Sequence, residues 1–116
     1  MKYESNITAI GNLARKFLAN NSSIILLNDG LRPNLADMVV EHTKAELKKN
    51  IAVGDTLLWG STAFEIMAVG KEVNQNLRDE GHCTVIFNAE GTMPGQILVQ
   101  GDELPRLCVG DTIQIA

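Results

Sequence analysis

Hydrophobic and polar positions alternate along this chain in short runs, each cut off by a turn signal. Tyr3 to Ile10 alternates loosely and stops at Gly11, which predicts a strand. Asn12 to Ala19 places Leu13, Phe17 and Leu18 at helical spacing, so a short helix is predicted there. Asn20-Asn21-Ser22-Ser23 ends it, and Ser23 to Leu27 comes next as a compact apolar run of buried-strand type. Asn28-Asp29-Gly30 is a strong turn. Pro33 to Asp37 is ambiguous, with Pro33 placed to open a helical turn. Met38 to His42 has the β-branched character of a strand. Ala45 to Lys49 is polar and lysine-rich, and is assigned to a loop or short turn.

From Val53 onward the pattern is β. Leu57 to Trp59, a turn at Gly60-Ser61 and Ala63 to Val69 form a hairpin by the usual signals. Val73 to Arg78 fits one helical turn or a loop. His82 to Phe87, Gln96 to Gln100 and Val109 to Ile115 are strands, with Glu90 to Gly95 a loop. One stretch recurs: Ile51-Ala52-Val53-Gly54-Asp55-Thr56-Leu57 matches Leu107-Cys108-Val109-Gly110-Asp111-Thr112-Ile113 in residue type throughout. Glycine permits a turn angle closed to other residues and Asp bonds the turn's own amides, so each copy aims a strand into a sheet. Two such copies suggest a barrel of two related halves. The fold expected is mainly β: a small single-domain β-barrel over residues 1–116, of about six to seven short strands with one or two short helices.

Composition narrows the function. The chain has 116 residues and is 45% hydrophobic, enough for one core without metal or disulfide staples. Its net charge of −4 argues against a nucleic-acid backbone binder. The densest basic stretch, Lys44, Lys48 and Lys49, is interrupted by Glu46 and suits a solvated patch. Cys83 and Cys108 stand far apart among apolar neighbours, which predicts two buried reduced thiols in a reducing cytoplasm. No apolar run has the length of a signal core or a membrane helix, so direct membrane insertion is not expected.

No nucleotide loop, serine-hydrolase elbow or zinc-helix motif is present, and no cofactor is expected. The carboxylate pairs Asp79-Glu80 and Asp102-Glu103 fall at turns and suit solvated surface. Two histidines remain. His42 ends the apolar run Val39-Val40, a place where a rigid strand would hold an imidazole open to a partner. Neutral imidazole is a good nucleophile toward phosphorus, and an ordinary histidine is mostly neutral at pH 7. Thr43 would donate to phosphoryl oxygens and Lys44 would offset their charge. Met38 and Val40 would lie on the contact surface. His82 is a candidate to orient His42 or a phosphate. As a metal ligand with Cys83 it is disfavoured, because adjacent strand residues face opposite ways. An ordinary surface role for His42, and backbone bonding for His82, remain open.

The segments around both histidines carry a resemblance. Ala68-Val69-Gly70, then Asn76-Leu77-Arg78-Asp79-Glu80-Gly81-His82-Cys83-Thr84-Val85-Ile86-Phe87, with Pro94-Gly95, Val99, Gly101 and Gly110-Asp111-Thr112, resembles the glucitol/sorbitol-specific enzyme IIA component of the bacterial phosphoenolpyruvate-dependent sugar phosphotransferase system. Upstream, Asn28-Asp29-Gly30 and His42 to Leu47 fall in register. The resemblance implies a small β-barrel and a phosphotransferase component. Its donor would be the histidine-containing phosphocarrier protein. Its acceptor would be the IIB part of a membrane permease, with IIC, bringing the protein to the inner face of the membrane. It implies that His42, ahead of Ala45-Glu46-Leu47, is the phosphoryl acceptor. The family pattern has a second histidine two positions later; here that residue is Lys44, which supplies charge but cannot act as a base. A homodimer is compatible with this reading. The alternatives are a non-catalytic paralogue that binds the same partners in a regulatory role, and a small-molecule or metal-binding barrel using His82.

Overall fold

The computed structural model describes all of residues 1–116. Eight strands run in chain order: β1 (Tyr3–Ile10), β2 (Ser23–Asn28), β3 (Val40–His42), β4 (Thr56–Trp59), β5 (Thr62–Val69), β6 (Cys83–Phe87), β7 (Gln96–Gln100) and β8 (Thr112–Ile115). Helix α1 (Asn12–Asn21) comes after β1, and α2 (Val73–Glu80) after β5; Pro33–Leu35 is a single 3-10 turn. The mainly β reading holds, with eight strands in place of six or seven. Val73 to Glu80 is a true helix, because Val73 and Leu77 recur one turn apart and both bury.

The strands close in the order β1-β3-β2-β6-β7-β5-β4-β8. Closure leaves no unpaired edge. Inward positions alternate along the long strands: Tyr3, Ser5 and Ile7 on β1, Phe64 and Ile66 on β5, Cys83, Val85 and Phe87 on β6. These residues, Ser5 aside, join one apolar core with Trp59, Ile97, Val99 and Ile113. Leu47 and Ile51 reach it from the segment 43–55. That segment is pinned by Thr43 N–H to the Asn6 carbonyl and by Ile51 N–H to Asn74 Oδ1.

The barrel is built twice over. β1 pairs antiparallel with β3, and β3 parallel with β2. Likewise β5 pairs antiparallel with β7, and β7 parallel with β6. The halves join through the antiparallel pairs β2–β6 and β4–β8. Each long strand carries an irregularity at the same place, between Ile7 and Ala9 and between Ile66 and Ala68. The repeated Val-Gly-Asp turns seat on those irregularities: Gly54 N–H donates to the Ile66 carbonyl and Gly110 N–H to the Ile7 carbonyl, both at 2.8 Å. Gly54 and Gly110 have φ of +95° and +94°, the conformation that favours glycine. Register therefore equates His42, opposite Ile7, with Val99, opposite Ile66. It equates Asn28, beside His42, with Phe87, beside Val99.

Two expectations about burial fail. Cys108 is exposed while Cys83 is buried, because Cys108 sits in the turn before β8 rather than on an inward strand position. Val40 is fully buried, facing the core beside Ile10, so it offers no contact surface; Met38 is exposed.

Candidate active site around His42

Strand β3 is only three residues long, yet it is paired on both sides, which fixes where its side chains point. His42 lies in register with the inward-facing Ile7, so its ring enters the barrel end and has no solvent exposure. The accessible position expected from the sequence is therefore corrected. The run of burial continues through His42, because the strand's inward face includes Val40 and His42 alike and the segment 43–55 folds back over that end of the barrel. Glu41 faces the other way, and its Oε1 accepts from Gly30 N–H at 3.1 Å, closing the Asn28-Asp29-Gly30 turn.

Both ring nitrogens meet backbone carbonyls. Nδ1 lies 2.9 Å from the Thr43 carbonyl oxygen, and Nε2 lies 2.9 Å from that of Gly81. A neutral imidazole has one N–H, so it can donate to one carbonyl only and turns a lone pair toward the other. Tyr3 packs edge-on, with ring centroids 6.1 Å apart at 81°. Its hydroxyl is buried without a partner; burial and then the neighbouring Cys83 push Tyr3 up to about 12. Burial likewise pushes the Cys83 thiol up to about 12. Neither group carries charge near neutral pH, so the pocket around His42 offers dipoles rather than a carboxylate base.

Gly81 lies at the centre of this corner. It caps α2 at φ +62°, and a Cβ placed there would come 2.0 Å from Asn28 Oδ1 and 2.9 Å from His42 Cε1. Only glycine leaves room for both side chains. Outside, Arg32 and Glu80 form an exposed ion pair that ties the loop after β2 to the last turn of α2. Such a pair contributes little to stability, on the order of 0–1 kcal/mol.

The other residues expected at the site are dispersed. Thr43 Oγ1 accepts from Asn6 N–H at 3.0 Å and ties β3 to β1. Lys44 is exposed, between a cleft of about 530 Å³ shared with Leu47 and Arg78 and one of about 340 Å³ shared with Tyr3, Ser5 and Thr43. His82 points away from His42, into an outer cleft of about 280 Å³ with Arg32, Leu35, Val39 and Glu80. It does not meet His42; the backbone carbonyl of the preceding Gly81 does. His82 and Cys83 face opposite sides, and no group of three or more His, Cys, Asp or Glu converges to hold a metal. Asn28, Gly81 and Tyr3 were not singled out as site residues from sequence; the signal lay in Asn28 ending an apolar strand just where the turn begins.

Residues 2–114 match the glucitol/sorbitol-specific IIA component family of the PTS system. The chain belongs to that family. Over 114 residues it is 31% identical to the PTS system glucitol/sorbitol-specific EIIA component of Shigella flexneri, across 97% of this chain and 92% of that one. The relative of the same name from Escherichia coli K12 matches at the same identity and coverage. The crystal structure of a PTS system IIA component from Enterococcus faecalis V583 superposes with a TM-score of 0.80 at 26% identity, covering 96% of this chain and 97% of that one. As a member of this IIA family, the chain is a sugar phosphotransferase-system component with a closed barrel fold. No helix in it is long and apolar enough to cross a membrane.

Proposed function

We propose that this IIA chain is a phosphocarrier that accepts a phosphoryl group on Nε2 of His42 from the histidine-containing phosphocarrier protein. It then passes the group to the IIB part of a glucitol/sorbitol-type permease. The observation that carries this reading is the setting of His42, an imidazole whose two ring nitrogens each meet a backbone carbonyl, at a wall position where the other half of the barrel has Val99. A packing role there calls for no imidazole.

The two nitrogens differ in what holds them. In this reading the ring proton sits on Nδ1, where it donates to the carbonyl of the next residue on the same chain segment and keeps the ring fixed. Nε2 faces a carbonyl on a glycine turn of another element, which would swing aside for transfer. With Gly81 withdrawn, the Nε2 lone pair attacks the phosphorus of the donor's phosphoimidazole. The new N–P bond forms as the donor's N–P bond breaks, and that electron pair returns to the donor ring. Nδ1 keeps its proton throughout, and the second transfer is the same step in reverse sense. Lys44 and Arg78, on one surface cleft, offset the phosphoryl charge as the partner docks. The partner reaches a cytoplasmic protein held at the membrane through its permease.

The full burial of His42, together with Lys44 in place of the family's second histidine, also supports a second reading, a non-catalytic member that binds the same partners. Incubation with phosphoenolpyruvate, enzyme I and the phosphocarrier protein separates the two. The carrier reading expects an acid-labile mass gain of one phosphoryl group, abolished in His42→Ala. No gain, or a gain that survives that substitution, contradicts it.

A further inference from the structure

The residue beside His42 has an unexplained chemistry. Asn28 is half-buried, its Oδ1 is sealed from solvent, and that oxygen has no hydrogen-bond partner. A buried acceptor left without a donor is costly, and folded proteins retain few of them. The other half of the barrel has Phe87 at this position, fully buried in the core. An apolar residue is therefore what the fold accepts there, and an asparagine with an idle oxygen calls for another reason.

Its neighbourhood supplies one. Asn28 and His42 are register partners on parallel strands, so their side chains leave the sheet on the same face. Both crowd the same point above Gly81, Asn28 through Oδ1 and His42 through Cε1, the ring carbon between Nδ1 and Nε2. The carbonyl that faces Nε2 belongs to the same glycine that the Asn28 amide crowds, so that amide would border the space opened when this carbonyl moves aside. A phosphoryl group on Nε2 would enter that space with its oxygens toward Asn28. Those oxygens need donors, and a side-chain amide carries two N–H groups. Because Oδ1 has no partner, a half-turn of the amide that presents its N–H groups breaks no hydrogen bond to that oxygen.

We propose that Asn28 is a catalytic residue of the transfer, its side-chain amide donating to the phosphoryl oxygens on His42 Nε2. This rests on the phosphocarrier reading above. The donor stabilises charge that lies on the migrating group in both directions, so it acts on acceptance and on release alike. No covalent bond or proton changes hands at Asn28.

The test compares wild type, Asn28→Ala and Asn28→Asp in single-turnover transfer from phosphorylated phosphocarrier protein, with 31P NMR of each phosphorylated product and a thermal melt as a control on folding. Removing one preorganised donor should slow acceptance on the order of 10²-fold. In Asn28→Asp, a carboxylate of the same shape faces the phosphoryl oxygens and should slow it further. The phosphohistidine 31P resonance should move in Asn28→Ala. A purely structural role would lower the melting temperature and leave that resonance in place. Asn28→Asp transferring at the wild-type rate, or an unmoved resonance, overturns the proposal. A wild-type protein that takes no phosphoryl group at all removes the phosphocarrier reading itself, and with it this role for Asn28. If Asn28→Ala fails to fold, the isosteric Asn28→Asp decides alone.

Discussion

The corner where β2, β3 and the turn after α2 meet holds Asn28, His42 and Gly81. Its counterpart, where β6, β7 and the turn after α1 meet, holds Phe87, Val99 and Ser22. The backbones match down to the helix caps, since Ser22 and Gly81 both adopt left-handed conformations at φ +52° and +62°. The chemistry does not match. In the second corner Phe87 N–H donates to the Ser22 carbonyl at 2.8 Å, and Phe87 and Val99 are buried in the core. In the first, the Gly81 carbonyl faces an imidazole, and two polar atoms nearby, Asn28 Oδ1 and the Tyr3 hydroxyl, are buried without partners. One scaffold thus carries a packed corner and a polar one. The polar one sacrifices stability, by about 1–3 kcal/mol for each buried polar group left unpaired.

Making the first corner like the second is the most severe change. His42→Val should abolish phosphoryl acceptance while the barrel still folds. The one carbonyl that loses its imidazole donor should cost about 1–3 kcal/mol, read from urea unfolding beside an intact-mass assay. A variant that unfolds outright would mean the imidazole is a core-packing residue first.

The next largest effect concerns the glycine cap of α2. Gly81→Ala drives a methyl group into Asn28 and His42 at a left-handed φ. It should lose about 2 kcal/mol or more of stability and slow transfer on the order of tenfold. The mirror change, Ser22→Gly, relieves a left-handed serine and should gain up to about 1 kcal/mol with transfer unchanged. Equal effects of the two substitutions would erase the distinction between the corners.

The smallest effect is in alkali. Tyr3 and Cys83 lie at the first corner, each raised to about 12 from ordinary values of 10.0 and 9.0. The folded state keeps both neutral, so their contribution is intact below about pH 9 and is lost as pH rises toward 12, where only the unfolded chain ionises freely. Cys83→Val gives that position an apolar residue like its counterpart Ile24 and should flatten part of the decline between about pH 9 and 11. Thiol labelling at about pH 8 should modify the exposed Cys108 and spare Cys83.

Much of this was legible along the chain, and the gaps are instructive. The Val-Gly-Asp repeat pointed to two halves because its turn needs glycine at positive φ, a requirement that survives any change of surroundings. α1 and the strands β2, β6 and β7 were legible because their apolar runs are local. The depth of His42 was not. Whether a strand's last residue faces inward depends on its register with a strand distant in sequence, here Ile7 opposite His42. For the same reason Val40 looked like a contact residue and is core. His82 looked like a second imidazole for the site, but adjacency to Gly81 placed its carbonyl neighbour there and turned its own ring outward. Asn28 passed as part of a turn, since nothing local marks an asparagine whose partner lies on the parallel strand.

The polar corner has a purpose only if a phosphoryl group travels on Nε2 of His42. The most direct measurement is 15N–31P correlation NMR on 15N-labelled protein after exchange with phosphorylated phosphocarrier protein, since the chain has only two histidines. The expected result is one phosphorus coupled to the Nε2 of His42, with Nδ1 still bearing its proton. Phosphorus on His82, on Nδ1 of His42, or on neither histidine would contradict it.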